Sequence, residues 1–457
     1  MRNYGYNSPQ SILDRIDPIW LIVPIACVAS ALVCWLALVN DPRLILGALY
    51  IGIYAPLAWR SPAKAQVLIV AVAPFQQDLG GGSVKFSLTE INLAVYSAVV
   101  LARLAIGQRR LITGPVILPV IAYLLVCMLS LFDNFRDISA IVSMAQMALY
   151  MIVGVAAFAS NTTNPEDHFL GFRALMVVSA VLACVVIFMG SSQSIGLNKN
   201  GIGASLGAAF PIGLELCFTE RRPNRRVILM GILAIVSVGL FLSLSRGGWL
   251  AAILGSAIIV TIRRRLKLLL IIALLVAPFM SIAWSYLPQD SQDYALNFDP
   301  SRRNIAARFE SIDYAMKQFD SSPLIGLGVG LRKQYDATNV LMMTLAETGI
   351  LGLGSFLAIH VVATYWFVRS YRAMASSPAT RSLIAIAAAL LWGRFVHGLV
   401  DHYWSRGAIS IAWVALGMAA GSVAVERSAQ RARRAALRQT QQRAAAMANY
   451  QRSVSPA

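Results

Sequence analysis

Long apolar runs separated by short polar turns account for most of this chain. Runs long enough to cross a bilayer recur from Ile19 to Val425, since a membrane-spanning helix needs about 20 residues. The third and tenth runs are short, which makes them candidates for re-entrant or strongly tilted segments. We therefore predict 12–14 transmembrane helices, with candidate spans at residues 19–39, 44–59, 65–74, 87–106, 116–131, 138–159, 169–189, 201–218, 227–244, 249–262, 268–286, 339–368, 382–400 and 409–425.

One polar segment is much longer than the others. It is Leu287–Thr338, between the eleventh and twelfth predicted spans. Within it, Arg308 begins a segment with Ile312 and Ala315 at i+4 and i+7, a spacing that predicts a short amphipathic helix. The chain is thus predicted to consist of an N-terminal segment (1–18), membrane helices (19–286), a large loop that contains short helices (287–338), further membrane helices (339–425) and a tail (426–457).

Composition supports the same fold class. Of the 457 residues, 58% are hydrophobic and 13% are charged, whereas soluble domains are about half apolar and about a quarter charged. The first apolar run, Ile19–Val39, is too long for the apolar region of a signal peptide, so we interpret it as the first membrane helix. The predicted fold is an all-α polytopic membrane protein with no soluble domain large enough to hold its own core.

The excess of positive charge follows the predicted topology. A net charge of +18 is also typical of proteins that bind nucleic acid, but alternating the spans puts both termini and most arginines on one side. Because short cytoplasmic loops are enriched in Lys and Arg, we predict that this side is cytoplasmic and that the large loop is extracytoplasmic, and we expect no nucleic-acid partner. The basic groups on the predicted cytoplasmic side are Arg221, Arg222, Arg225 and Arg226, then Arg263, Arg264, Arg265 and Lys267, then Arg369, Arg372 and Arg381, and finally the tail from Arg427 onward.

The basic tail and the cysteines have simple interpretations. The Arg-rich tail, 426–457, suits a surface helix attracted to anionic membrane lipids. All five cysteines fall inside apolar runs, where they are typical of small core residues rather than of disulfides or metal ligands. His397 and His402 with one nearby aspartate make a poor zinc site without a further ligand, so no metal and no cofactor is expected.

Three basic groups near the predicted outer face are candidates for binding phosphate or sugar. Arg246, in S-L-S-R-G-G-W, lies at a span end, where its guanidinium could bind a phosphate bidentately. The adjacent glycines could let a bulky ligand approach, although an arginine here could also snorkel to the interface. The second group, which could instead be a solvated face, is Arg302, Arg303 and Arg308 in the large loop. The third is Lys199 and Asn200 in N-K-N-G, where a phosphate or sugar contact is possible.

The junction between the large loop and the next span is rich in glycine and polar residues. The stretch Ser321–Gly330, which contains S-P-L-I-G-L-G-V-G, is a Pro/Gly turn that either packs the loop on the membrane surface or forms a backbone anion nest. Thr338 or Asn339 is the expected N-cap of the next helix, with Asp336 just before them. Glu347 follows about two turns into that helix, and we expect this carboxylate to pair with an arginine.

The sequence R-F-V-H-G-L-V-D-H-Y-W-S-R contains the densest ionisable cluster outside the loop. Arg394, His397 and Asp401 are spaced i, i+3 and i+7, which predicts one helix face, with Asp401 and His402 at its outer end. Histidine titrates near neutrality and can accept a proton. The cluster is therefore either part of a reactive site or an internal ion pair with an aromatic belt.

The motifs quoted above occur in one order, and this order carries a resemblance. S-L-S-R-G-G-W, the Arg308 segment, S-P-L-I-G-L-G-V-G and T-N-V-L-M-M-T-L-A-E-T-G-I-L-G-L together resemble the C-terminal signature of the O-antigen ligase and Wzy-type polymerase family. N-K-N-G is similar to the Asn-rich element of that family. The resemblance covers roughly Leu197–Ala420, whereas the first half of the chain is similar only in hydropathy.

The resemblance implies a multi-pass enzyme of the bacterial cytoplasmic (inner) membrane with an active site that faces outward. Its donor would be a polyprenyl-diphosphate-linked oligosaccharide brought to the outer leaflet, and the glycan would be transferred to an acceptor hydroxyl while lipid diphosphate leaves. By motif, Arg246 and Arg308 would hold the diphosphate, and no metal or nucleotide is implied. Membrane lipids, a flippase and a chain-length regulator are the implied partners.

One position departs from the family pattern. Ligases of this family usually carry a histidine immediately before the asparagine of their H-N motif, and Thr338 occupies that position here. A threonine hydroxyl cannot act as a base unaided, so the candidates for receiving the acceptor proton are Asp336, His397 and His402. The departure favours a polymerase over a ligase, because polymerases of this family vary more at this position.

Three functions therefore follow from the sequence. The first is a polymerase of exopolysaccharide or O-antigen repeat units, the second is a ligase that transfers a finished glycan to a lipid core or a protein, and the third is a transporter for a small solute or anion. The transporter lacks support from repeated halves, since we find no convincing repeat between residues 1–230 and 231–457. The expected substrate-binding residues are Arg246, Arg308, Arg302, Arg303, Lys199, Asn200, Asn339, Glu347 and Asp401.

Overall fold

A computed structural model describes residues 42–75, 87–133, 138–190, 199–289, 292–293, 303–335, 337–404 and 407–454. Throughout these ranges the chain forms helices and turns, with no strand. The helices are α1 (Pro42–Arg60), α2 (Pro62–Ala71), α3 (Leu88–Ala105), α4 (Ile117–Asp133), α5 (Ile138–Asn161), α6 (His168–Met189), α7 (Lys199–Thr219), α8 (Pro223–Leu242), α9 (Arg246–Arg263), α10 (Leu266–Ser285), α11 (Arg303–Ser321), α12 (Leu331–Gln334), α13 (Val340–Ala373), α14 (Pro378–Gly398) and α15 (Ala408–Val454).

The predicted fold class is confirmed. Each predicted span from 44–59 onward coincides with a helix, and the first, 19–39, lies outside the described residues. By length and composition, nine helices of the described ranges could cross a membrane. The third predicted span is the short helix α2, with ten residues. The structure therefore confirms an all-α polytopic membrane protein.

The basic tail is helical, but it is not a separate surface helix. α15 runs from the last predicted span into the tail without interruption over 47 residues, which corresponds to about 70 Å of helix. This is more than twice the roughly 30 Å thickness of the hydrocarbon core. The predicted boundary at 426 follows a change in hydropathy, whereas Ala, Arg and Gln are all good helix formers and continue the helix.

Helices α7 and α9 form the centre of the bundle and run in the same direction. Gly203 lies against Ser245 near the first turns of the two helices. Near their last turns, Glu215 of α7 and Arg263 of α9 form a salt bridge. Glu215 is fully buried, so this ion pair satisfies a carboxylate that would otherwise be costly inside the bundle.

Helix α14 packs against both α7 and α9 and runs in the opposite direction. Its first residues meet the end of α9, since Ser382 accepts a hydrogen bond from Arg263 at 2.7 Å. Its last turn reaches the start of α9, where His397 lies against Gly247. We call the end that contains Arg246 and His397 the site end, and the end that contains Arg263 the basic end.

Helix α13 lies antiparallel to α14. The indole of Trp392 donates to the Thr364 hydroxyl at 2.9 Å midway along the pair, and the guanidinium of Arg381 stacks on the Tyr371 ring at the basic end. The start of α13 therefore also lies at the site end. Helix α11 of the large loop packs against α13 and brings the loop to the same place.

Candidate functional site

The turn that begins α9 is held by a cap and by its neighbours. Ser245 is the N-cap, and its hydroxyl accepts a hydrogen bond from the Gly248 N–H. Leu244, just before it, adopts φ 54°, which reverses the chain between α8 and α9. The Trp249 indole donates to the Leu240 carbonyl at 2.9 Å and ties the two helices together. Arg246 is thereby fixed, half-buried, on the first turn of α9.

The glycines that follow Arg246 serve helix packing, which corrects the expectation that they let a ligand approach. A Cβ at Gly248 would lie 2.5 Å from the carbonyl oxygen of Gly203 on α7, and a Cβ at Gly247 would lie 2.9 Å from Cδ2 of His397. Small residues let membrane helices approach closely. These two glycines therefore bring α7 and His397 to the side of Arg246.

His397 and Arg394 form a buried pair on the last turns of α14. The Arg394 guanidinium donates to Nδ1 of His397 at 2.9 Å, and both side chains are at most 5% exposed. Because a guanidinium can only donate, Nδ1 must be an acceptor. In the neutral imidazole the proton is then on Nε2, for which the described residues provide no hydrogen-bond acceptor. The arrangement leaves Nε2–H available as a donor.

The predicted helix face shared by Arg394, His397 and Asp401 is only partly observed. The i, i+3 pair is on one face, but α14 ends at Gly398, so Asp401 lies beyond it. The Arg394 guanidinium also donates to the carbonyls of His402 and Tyr403, and this anchors the turn. Beyond the helix, Leu399 and Val400 donate to the carbonyls of Val396 and His397, at 3.1 Å each, and close its last turn.

Asp401 and His402 have different environments. Asp401 is 4% exposed, and its carboxylate accepts a hydrogen bond from the His402 N–H at 2.8 Å. The His402 side chain is exposed. Asp401 is therefore a turn-forming residue in this structure, whereas the His402 imidazole is accessible.

Asn339 joins the start of α13 to the end of α14. It is the N-cap, as expected for Thr338 or Asn339, and its side-chain oxygen accepts from the N–H groups of Leu341 and Met342. Its side-chain amide donates to the Leu399 carbonyl at 3.0 Å. Thr338 adopts φ 48°, an unusual value for a β-branched residue. The capping role of Asn339 thus also positions the turn after His397.

The span predicted at 339–368 is interrupted at Gly349, which has φ 61° and ψ −165°. The interruption frees backbone groups, and the Pro/Gly stretch of the loop satisfies them. Leu327 and Gly328 donate to the carbonyls of Ala346 and Glu347, at 2.9 Å each. A Cβ at Gly349 would collide with the backbone of Leu324, so only glycine allows this approach.

Carbonyl groups of the loop also accept hydrogen bonds from N–H groups of α13 just after the break. Ile350 donates to the Pro323 carbonyl at 2.9 Å, and Leu351 donates to the Leu324 carbonyl at 3.3 Å. The N–H groups of Leu327 and Gly328 are therefore used inside the protein and cannot form the anion nest considered for Ser321–Gly330. Of the two alternatives, packing of the loop on the membrane-spanning part is observed.

Glu347 pairs with an arginine, as predicted, and the partner is Arg332. The Arg332 guanidinium donates to both carboxylate oxygens, and its backbone N–H donates to Oε1 at 2.9 Å. Both side chains are at most 5% exposed. The guanidinium carbon also lies 4.8 Å from the Trp404 ring centroid. One buried pair thus joins the loop, α13 and the segment after α14.

Arg332 was not a candidate in the sequence analysis. It follows the Pro/Gly stretch in a loop with several other basic residues, and its pattern does not distinguish it from a solvated arginine. Its partner Glu347 did indicate that a cation lies nearby, because a carboxylate two turns into an apolar helix requires one. Sequence spacing alone did not say which of the loop arginines would supply it.

The amphipathic helix predicted around Arg308 is observed as α11. Its buried face has Ser311 and Ala315, one turn apart, and Ala315 packs with Leu331, Ala337, Met343 and Ala346. The Ser311 hydroxyl donates to the Ala337 carbonyl at 3.1 Å. This contact places Arg308, half-buried, near the start of α13.

The site end brings several of the predicted residues together. The charges of Arg394, His402 and Arg308 all act on the His397 imidazole, and Gly247 beside Arg246 contacts the same ring. Lys199 and Asn200 begin α7, one turn before the Gly203–Ser245 contact. Asp336 and Arg302 lie outside the described residues, and so does the side chain of Arg303, the first residue of α11.

Comparison with known families identifies the segment that contains most of this site. Residues 231–357 match the family model described as O-antigen ligase. The matched segment includes Arg246, Arg308, Asn339 and Glu347, and it lies within the 197–420 range of the sequence resemblance. Lys199, Asn200 and the residues from Arg394 to His402 lie outside it. No curated protein matches the chain in sequence.

Proposed function

We propose that this protein, whose residues 231–357 match the family model described as O-antigen ligase, is a polymerase of polyprenyl-diphosphate-linked oligosaccharide repeat units. It would act at the outer face of the bacterial cytoplasmic membrane on an exopolysaccharide or O-antigen. The growing chain on its lipid is the donor, and a hydroxyl of a new lipid-linked unit is the acceptor. The bond from the donor sugar to the diphosphate breaks as the new glycosidic bond forms, and lipid diphosphate leaves without the help of a metal.

The observation that carries this proposal is that the charge of Arg308 acts on His397, while Gly247, next to Arg246, packs against the same imidazole. The two arginines come from distant parts of the matched segment, one at the start of a membrane helix and the other on the loop helix. Departure of a diphosphate builds negative charge, and guanidinium groups held in place in a pocket of low dielectric stabilise it. This supports the assignment of both arginines to the diphosphate.

An apolar groove beside Arg246 suits the lipid part of the donor. It lies between α8, α9 and α10, has a volume of about 510 Å³, and is lined by Phe241, Trp249, Ala277 and Met280 among others. Trp249 follows Arg246 by three residues, so the lining of the groove begins about one helical turn from Arg246 along α9. A polyprenyl chain in this groove would leave its diphosphate next to Arg246.

Two observations bear on the choice between polymerase and ligase. The family model is described as O-antigen ligase, which keeps transfer to a lipid core or a protein as the second candidate. Thr338 stands where ligases of the family usually carry histidine, and this favours the polymerase. Both candidates use the same donor, and they differ in the acceptor.

The product separates the two candidates. Purified protein would be reconstituted in proteoliposomes with a short polyprenyl-diphosphate-linked repeat unit, and the products would be separated by gel and mass spectrometry. We expect a ladder of longer glycans that stay on the polyprenyl lipid. Products of unit length on an added lipid core would favour the ligase, and no transfer with either acceptor would argue against both.

The hydrogen bonding of His397 predicts a donor rather than a base. Since Nδ1 accepts from Arg394, the proton of the neutral imidazole is on Nε2, and in this proposal Nε2–H donates to a substrate oxygen. The acceptor proton then goes to another group, with Asp336 and His402 as the candidates. We expect His397→Ala to reduce the transfer rate by about 100-fold, in the range found for loss of one donor to a developing anion. His397→Gln, which keeps an N–H donor, should recover most of this loss.

The pH dependence of the same variants tests the alternative that His397 is a general base. A general base contributes about 10²–10⁴-fold, and glutamine cannot replace it. If His397→Gln were as inactive as His397→Ala, and if the acidic limb of the pH–rate profile disappeared in both, His397 would be the base. We expect the acidic limb of the His397→Gln profile to match that of the wild type.

A further inference from the structure

A large cleft lies at the basic end, opposite the candidate site. It has a volume of about 1110 Å³ and is formed by α9 and α13, which stand on either side of α14. This volume lies just above the upper end of the roughly 300–1,000 Å³ range of typical small-molecule sites. The proposed transfer reaction has no use for a cleft here, because His397 and Arg246 lie at the other end of the same helices.

The mouth of the cleft is basic. It is lined by Arg263, Arg264, Arg265, Arg372 and Arg381. Arg263 is neutralised by Glu215, and Arg381 stacks on Tyr371 with 4.1 Å between the guanidinium carbon and the ring centroid. Within the described part of the chain, Arg264, Arg265 and Arg372 are exposed and lie in no salt bridge. The mouth thus has an excess of positive charge.

Arg264 is held at the mouth by the way α9 ends. It is the C-cap and adopts the left-handed conformation, with φ 54° and ψ 41°. This turn stops α9 and allows α10 to begin two residues later, at Leu266. Left-handed backbone is uncommon for a residue other than glycine, asparagine or aspartate. The conformation keeps two successive arginines, Arg264 and Arg265, at the rim.

The depth of the cleft is apolar, and it spans about half of a membrane. Its lining on α9 extends from Arg263 to Leu254, nine residues or about 14 Å of helix. The hydrocarbon core of a bilayer is about 30 Å thick, so the cleft reaches one leaflet deep. Below the arginines its walls include Ile258, Phe367 and Ile384. The Trp392 indole at the bottom already donates to Thr364 and needs no ligand.

We propose that this cleft binds an anionic glycerophospholipid. The phosphate lies among Arg264, Arg372 and Arg381, and an acyl chain occupies the apolar depth between α9 and α13. Two features select this occupant together: the charge of the mouth requires an anion, and a cleft that is apolar to the depth of one leaflet requires a hydrocarbon chain. A soluble phosphate would leave the apolar depth empty, and a zwitterionic lipid would bring no net charge to the arginines.

The proposal is tested by lipid binding to the purified full-length protein. Native mass spectrometry in detergent would measure the apparent affinity for phosphatidylglycerol and for phosphatidylcholine with the same acyl chains. We expect a preference of at least tenfold for phosphatidylglycerol. The double variant Arg264→Gln/Arg372→Gln should lose at least tenfold in affinity for it, because both side chains are exposed and their replacement leaves the fold intact.

A matched control removes the same charge elsewhere. Arg221→Gln/Arg225→Gln changes two exposed arginines at the same end but outside the cleft, and it should bind phosphatidylglycerol like the wild type. An equal loss in this control would show that the lipid is attracted by overall charge and would overturn the cleft assignment. Lipid binding is measured without glycan transfer. The lipid-binding proposal can therefore be wrong while the proposed enzymatic function is right, and the enzymatic function can be wrong while the lipid-binding proposal is right.

A second pair of measurements tests the acyl chain. Leu254→Trp and Ile258→Trp would each fill the apolar depth without changing charge, and each should weaken phosphatidylglycerol binding by at least fivefold. If either variant unfolds, which thermal unfolding would show, the other gives the answer. Wild-type affinity in a folded filling variant, or full displacement of the lipid by millimolar inorganic phosphate, would overturn the proposal.

Discussion

Replacing Arg246 with alanine should reduce glycan transfer by about 10²–10³-fold, which corresponds to the roughly 2.7–4 kcal/mol commonly lost when one donor to a developing anion is removed. The backbone that carries the guanidinium is fixed by the Ser245 cap and by the turn at Leu244, so little reorganisation of the protein is needed when the diphosphate charge develops. The rate of lipid-diphosphate release in proteoliposomes measures the effect. We expect the loss mainly in kcat, because the interaction strengthens as the diphosphate leaves.

Two variants make the result specific. Arg225→Ala removes an exposed arginine in the first turn of α8, at the basic end, and should leave the rate unchanged. Arg246→Lys keeps the charge but loses bidentate geometry, and we expect an intermediate rate. Wild-type product length and rate in a folded Arg246→Ala protein would rule out the diphosphate role.

The helices were predictable from the sequence, and the contacts between them were not. Hydropathy located spans such as 44–59 and 201–218 because a helix that crosses the hydrocarbon core needs about 20 predominantly apolar residues. Apart from the tail that continues α15, the predicted ends were off by up to five residues when a charged or polar turn continued as helix, as at Arg246 and beyond 368. Those turns are stabilised by caps such as Ser245, which hydropathy does not register.

Parts of the site were also predictable, because local geometry places them. The N-cap at Asn339, the i, i+3 pair of Arg394 and His397, and the helix around Arg308 each follow from a few neighbouring residues. The sequence predicted that Glu347 pairs with an arginine, but it did not identify that arginine as Arg332. That assignment depends on how the loop folds over α13, and this is a contact between segments that sequence spacing does not encode.

The break at Gly349 shows most clearly what sequence reasoning missed. An apolar run with glycines is typical of a continuous membrane helix, since glycine is common in such helices. The break is tolerated because Leu327 and Gly328 donate to the carbonyls of Ala346 and Glu347, so these two carbonyls are not left without a hydrogen bond. A single span and a broken one therefore have the same hydropathy.

The Arg332–Glu347 pair should be the largest single contribution to the stability of the site end. Glu347→Ala leaves a guanidinium buried without its carboxylate, and breaking a buried pair in this way costs about 3–5 kcal/mol. It also removes the acceptor of the Arg332 N–H. We expect a marked fall in the unfolding midpoint of the purified protein, together with loss of transfer, because the pair anchors the loop that positions α11 and Arg308.

A double substitution separates stability from chemistry. In Arg332→Leu/Glu347→Leu no buried charge remains, so the midpoint should recover most of the loss, as it often does when apolar residues replace an entire buried pair. Recovery should stay incomplete, since the backbone N–H of Arg332 would lack an acceptor, at a cost of about 1–3 kcal/mol. If Glu347→Ala instead abolished transfer with an unchanged midpoint, Glu347 would be a direct contact of the substrate, because a purely structural carboxylate cannot be removed from the bundle without weakening it.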